Sequence, residues 1–167
     1  MYLLDSNTYI EAKNRYYQMS FCPAYWDWLD QQYQLGILSS ITSVYDELAN
    51  NGDELSDWVK DRRDQFHSVA TKEIQIKMTE VAQHVVGLPN KNPVYVNGFL
   101  GKADPWLVAK ASLTGETIVT HEILVEANSK KVKIPNICNY FDVPYINTFE
   151  LLRTLEANFM LDKSAAL

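Results

Sequence analysis

Met1-Tyr2-Leu3-Leu4-Asp5-Ser6-Asn7 opens the chain. The apolar run Tyr2 to Leu4 ends on an acid, and two polar residues follow. A run this short predicts a buried strand, and Ser6-Asn7 predicts a direct turn into a helix. A carboxylate that ends a core strand is costly without a partner. Asp5 therefore either caps the following helix through the Ser6-Asn7 turn or belongs to a site.

Downstream of that strand the pattern alternates. Tyr25, Trp28, Leu29 and Gln32 lie at helical spacing, with Gly36 as a stop. Ile37 to Ser39 reads as a small strand, and Ser40 to Ser43 offer N-caps for a helix through Val44-Tyr45-Asp46-Glu47-Leu48, which Asn51-Gly52 closes. Leu55 to Arg63 is a polar helix, and Ile74, Met78, Val81 and Val85 mark an amphipathic helix over 71–86. Residues 87–101, with Gly87, Pro89, Pro93, Gly98 and Gly101, read as a loop. Asp104-Pro105 starts a helix, with Asp104 at the N-cap, and Gly115 ends it. Thr117 to Thr120 is a β-branched strand. A short helix over 135–141, an edge strand over 143–147 and a closing helix from Thr148, its cap, to Met160 complete the chain. Strands alternating with helices imply a three-layer α/β/α sandwich around a central, mainly parallel sheet. In such sheets the working site lies beyond the carboxyl ends of the strands.

Four acids fall where that rule points. Asp5 follows the first strand, Glu47 lies in the helix after the second, Asp104 opens a helix, and Glu122 follows the strand Ile118-Val119-Thr120. Carboxylates gathered at one place repel each other and raise each other's pKa, and a hard divalent cation, Mg²⁺ or Mn²⁺, removes that cost. Such a cation can acidify a bound water, aim the hydroxide at phosphorus and stabilise the leaving oxygen. Asn7 and Thr120 are candidates to orient the metal-bound groups. Asp104 can equally serve as an ordinary cap, and Asp46 competes with Glu47, since adjacent helix positions point about 100° apart.

The four segments resemble those of PIN-domain nucleases, specifically the PIN-like toxins of two-gene toxin–antitoxin modules. Tyr2-Leu3-Leu4-Asp5-Ser6-Asn7 resembles the family's opening strand, Ser43-Val44-Tyr45-Asp46-Glu47-Leu48 its second motif, Lys102-Ala103-Asp104-Pro105-Trp106-Leu107-Val108-Ala109 its third and Ile118-Val119-Thr120-His121-Glu122 its fourth. Ile134-Pro135-Asn136-Ile137-Cys138 and Phe141-Asp142-Val143 resemble its usual ending. The resemblance implies a single PIN-like domain over 1–167, with a helical insertion at about 53–97. It implies Mg²⁺- or Mn²⁺-dependent cleavage of RNA at Asp5, Glu47, Asp104 and Glu122, a cognate antitoxin as partner, and a homodimer. The fourth acid is Glu where the family more often has Asp, so Glu122 is expected to ligate directly or through water.

The bulk properties bound these readings. The chain has 167 residues, 47% of them hydrophobic, which suits one folded domain. Its net charge of -6 does not suit a binder that relies on Lys and Arg for phosphate. It suits a carboxylate site whose charge a metal cancels. Cys22 and Cys138 have no zinc-ligand spacing and read as buried free thiols of a reducing compartment. The first residues are no signal peptide and nothing is long enough to span a membrane, so a soluble, cytoplasmic protein is expected. Lys130-Lys131-Lys133 and Lys102 are candidates for phosphate contact, and Tyr95, Phe99 and Trp106 for stacking on bases, against solvated-loop and packing roles. His121 reads as a solvated loop histidine or a phosphate contact. Trp26, Trp28 and Trp58 read as interface or core. The competing function is a PIN-fold RNA- or protein-binding module without catalysis. An aspartyl phosphatase would need a second Asp two residues after Asp5, where this chain has Asn7, and a receiver domain would need an acid pair next to the first strand, which it lacks.

Overall fold

Leu3 and Leu4 are fully buried because β1 (Tyr2–Leu4) is the middle strand of a five-stranded sheet. The structure is a computed structural model that describes residues 1–160, so 161–167 of the expected domain lie outside the described residues. The other strands are β2 (Leu38–Ile41), β3 (Phe66–His67), β4 (Thr117–Val119) and β5 (Tyr145–Ile146). The order is β3-β2-β1-β4-β5 and every pairing is parallel. All four residues of β2 are buried, two of them serines. Their hydroxyls are satisfied: Ser40 Oγ donates to the Leu4 carbonyl at 2.7 Å and Ser39 Oγ to Glu116 at 3.4 Å.

The helices are α1 (Ser6–Glu11), α2 (Pro23–Gln34), α3 (Thr42–Ala49), α4 (Glu54–Lys60), α5 (Lys72–Gly87), α6 (Pro93–Leu100), α7 (Asp104–Thr114), α8 (Ile134–Tyr140) and α9 (Thr148–Thr154). They cover the sheet in a three-layer α/β/α arrangement. Helices α5, α6 and α8 pack on α7, and α1 and α4 pack on α3. Trp26 and Trp28, at 4% and 8% exposure, belong to the core. Cys138 is buried and Cys22 half-buried, both free. Among the described residues no helix is long and apolar enough to cross a membrane.

Local signals and structure part in four places. The Gly- and Pro-rich stretch 87–101 contains α6, because Pro93 stands in its first turn and the Asn92 side chain accepts the Val94 N–H at 2.9 Å. Helix α9 stops at Thr154 rather than Met160, and its cap is Asn147 rather than Thr148, through a capping box with Glu150. Strand β2 takes in Ser40 and Ile41, so Ser40 pairs in the sheet and the N-cap position of α3 falls to Ile41, whose apolar side chain offers no cap. After α1 the backbone continues as a π-helical turn, Ala12–Tyr16, which no periodicity in the sequence announces.

Candidate active site

From β1 the chain steps outward to β2 and β3, then returns to place β4 on the other side of β1. The crevice where this order reverses lies between β1 and β4, at their carboxyl ends. The Asp5 N–H donates to the Val119 carbonyl at 3.0 Å, so the ladder runs to the last residues of both strands and holds Asp5 against Thr120. Thr120 Oγ1 donates to Asp5 Oδ2 at 2.9 Å and accepts the Glu122 N–H at 3.1 Å. Both Asp5 and Thr120 are buried, at 1% and 2% exposure.

Neither aspartate spends its carboxylate on a cap. Asp5 occupies the N-cap position of α1 but makes no side-chain cap bond. Asp104 is not the N-cap of α7 at all: Ala103 is, and Asp104 is the first helical residue, with Pro105 behind it. No described residue donates a hydrogen bond to the Asp104 carboxylate. Burial and then the charges of Asp5, Glu122 and Glu47 push its pKa up to about 8, against a smaller opposing pull from Lys102. Burial raises Asp5 to about 6, with Glu122 and Glu47 adding to the rise and the Thr120 hydroxyl opposing it.

The two glutamates stand differently. Glu47 is half-buried while Asp46 is exposed, which identifies Glu47 as the acid of α3 that faces the crevice. One Glu47 oxygen accepts the Ala103 N–H at 2.7 Å and the other accepts the Ser6 hydroxyl. The α7 N-terminus is thus tied to α3, with a carboxylate at the positive end of the helix dipole. Glu122 accepts Lys133 Nζ at 2.5 Å and the Ile134 N–H at 2.7 Å, so both of its oxygens are engaged at the start of α8. Asn7, expected beside Thr120 as an orienting group, is exposed, and Ser6 is the polar residue that α1 turns toward the acids. The rotation of about 100° between adjacent helix positions explains the exchange: Ser6 and Asn7 cannot face the same way.

The structure therefore brings the four acids close enough to raise the pKa of Asp5 and Asp104. It does not close them into a cage: among the described residues no three His, Cys, Asp or Glu side chains stand together as a metal-holding group. The pair nevertheless fits a hard cation. Buried Asp5 and half-buried Asp104 repel one another, Lys133 is committed to Glu122, Lys102 is exposed, and a divalent ion would supply the missing positive charge.

Other expected contacts sort by exposure. Phe99 is buried at 3% and Trp106 half-buried, so of the three aromatics near α7 only Tyr95, at 43%, presents itself to solvent. Lys102, Lys130 and Lys131 are exposed. His121 is not a solvated loop residue. It is half-buried, its Nε2 lies 2.9 Å from Thr148 Oγ1, and burial lowers its pKa. The sequence carried no sign of this, since Thr148 is 27 residues away.

The family described as "Domain of unknown function (DUF4411)" matches residues 2–159, and the chain belongs to that family. No curated protein matches the sequence. Among the solved structures that are similar in fold are VapBC2 and FitAcB. One is the crystal structure of VapBC2 from Rickettsia felis bound to a DNA fragment from their promoter, with a TM-score of 0.50, 13% identity, 87% of this chain and 97% of that one covered. The other is the crystal structure of FitAcB from Neisseria gonorrhoeae, with a TM-score of 0.52, 15% identity and coverage of 89% and 99%. The fold is thus PIN-like, as the motifs led us to expect.

Proposed function

We propose that this member of the DUF4411 family is a divalent-metal-dependent endoribonuclease, the toxin of a two-gene toxin–antitoxin module acting in the cytoplasm. The observation that carries the reading is the pair Asp5 and Asp104. Both are held at the switch point of the sheet, neither is used as a cap, and each is raised in pKa by burial and by its acidic neighbours. The likeness in fold to VapBC2 and FitAcB, together with the sequence motifs, supports the toxin reading, a cognate antitoxin and a homodimer. Residues 1–167 would form one PIN-like domain, with the helices between 53 and 97 as an insertion.

In this reading Asp5 and Asp104 hold Mg²⁺ or Mn²⁺, and Glu47 and Glu122 complete the negative ring, directly or through water. The bound ion supplies charge to cancel the carboxylates and an acidified water for attack on phosphorus. Thr120 fixes the Asp5 carboxylate by donating to Oδ2. Glu47 anchors the α7 N-terminus and so sets the position of Asp104. Lys133 keeps Glu122 at the rim until cation or substrate competes for it.

One observation favours the second reading, an RNA- or protein-binding module without catalysis: both oxygens of Glu47 and both of Glu122 already have protein partners. Purified wild type and Asp5→Asn incubated with total RNA in Mn²⁺, Mg²⁺ or EDTA separate the two. Metal-dependent fragments from wild type alone support the nuclease. Absence of fragments, together with no Asp5-dependent heat on Mn²⁺ titration, makes the binding module the better account.

A further inference from the structure

Beside the carboxylates lies an aromatic cluster with no role in the chemistry above. The π-helical turn that follows α1 ends at Tyr16, which remains 42% exposed. Tyr16 meets Phe149 of α9 edge-on, with centroids 5.0 Å apart and planes at 80°. His121 lies 6.0 Å from Tyr16 and 5.9 Å from Phe149. None of the three rings is stacked on another. Other rings do stack: Tyr17 on Tyr25 at 4.4 Å and His84 on Tyr140 at 3.5 Å. His121 and Phe149 line an open cavity of about 470 Å³ whose wall also includes Thr120 and Glu122, and Tyr16 lies against both rings. That volume lies within the range of small-ligand sites. The wall is continuous with the acids, because Thr120 holds Asp5 and His121 is the next residue.

We propose that Tyr16, His121 and Phe149 form a stacking platform for an unpaired base of single-stranded RNA, next to the phosphodiester presented to Asp5 and Asp104. The proposal rests on the nuclease reading. Stacking needs only a π-face, so it tolerates any base. In the cavity wall, Asn147 Oδ1 and one Glu150 oxygen are engaged in the capping box of α9. The π-helical turn ends on Tyr16, which meets Phe149 and His121, two residues of the cavity wall. The platform selects for unpaired substrate, since a base inside a duplex has no free face.

The test is the affinity of the full chain for a fluorescein-labelled single-stranded RNA decamer, by anisotropy in EDTA so that no cleavage occurs. Tyr16→Leu and Phe149→Leu should each weaken binding by about fivefold to a hundredfold. The slope of log affinity against log salt should stay unchanged, because no phosphate contact is lost. Tyr16→Trp and Phe149→Trp should retain affinity, and the corresponding duplex should bind without sensitivity to any of these changes. Phe149 is half-buried and its Leu variant is at risk of misfolding; exposed Tyr16 then carries the test. If wild type cleaves RNA with Mn²⁺ but Tyr16→Leu binds the decamer as tightly as wild type, the platform is wrong and the nuclease stands. In that outcome the rings become a surface for a protein partner. If wild type neither binds nor cleaves RNA, both readings fall.

Discussion

At Asp104, burial and three neighbouring acids act in one direction, and the consequence is a dependence of stability on pH. An unfolded Asp titrates near 4. With the folded values of Asp5 and Asp104 raised to about 6 and about 8, the folded chain holds protons more tightly than the unfolded one. Stability from this pair is fully present below about pH 4 and is lost as pH rises toward 8. In EDTA, Asp104→Asn should therefore raise the melting temperature at pH 8 by roughly 2–4 °C for each kcal/mol of repulsion removed, and change it little near pH 4. Mn²⁺ should stabilise wild type at pH 8 and not the variant. Calorimetric melts at the two pH values check both statements, and equal melting of wild type and variant at pH 8 would show that the acids do not repel. Thr120→Val removes the hydroxyl that holds Asp5 while keeping the shape. Mn²⁺ affinity should fall about 10- to 100-fold, the usual cost of losing a group that orients a ligand. Titration calorimetry reads it directly.

Among the elements, α4 offers a clean dissection. The Asp53 side chain accepts the Ser56 N–H at 2.9 Å and Lys13 Nζ at 2.6 Å, joining the π-helical turn to the start of α4. Those partners hold its carboxyl below the ordinary value. Asp53→Ala should cost about 1 kcal/mol through the lost cap, whereas Asp53→Asn keeps an acceptor for Ser56 and should cost less than half of that. Urea unfolding distinguishes them, and equal losses would assign the effect to the Lys13 contact instead.

On the scale of the whole molecule, the two ends of the sheet are charged in different ways. The carboxyl end gathers acids, while at the opposite end Lys110 of α7 and Glu116 form a buried pair, with side chains 8% and 4% exposed. Burial alone would raise the Glu116 pKa, yet Lys110 and the Thr114 hydroxyl, 2.6 Å away, hold it below the ordinary value. Lys110→Met strands a charge in the interior and should cost about 3–5 kcal/mol. Glu116→Leu in the same chain should recover most of that loss, since a buried ion pair is worth little more than apolar residues of its size. Chemical denaturation of the single and double variants measures the difference. A double variant as unstable as the single would mean that the pair contributes specific packing.

The sequence by itself determined the architecture and named the acids. Period-2 and period-3.6 patterns act over a few residues, so the strands at Tyr2–Leu4 and Thr117–Val119, helix α5 and the alternation that demands a parallel sheet are all local information. Asp5, Glu47, Asp104 and Glu122 were legible for the same reason, as acids at the ends of local elements. Tertiary structure alone decided what each acid does. Whether Asp104 caps α7 depends on Ala103, whose N–H is taken by Glu47 from 56 residues away. Whether Glu122 is free depends on Lys133 and Ile134 across a loop. The π-turn at Tyr16 and the seating of His121 on Thr148 likewise depend on packing between distant segments. Side-chain charge is written in the chain, whereas its partners, its burial and hence its pKa exist only once the sheet has closed those distances.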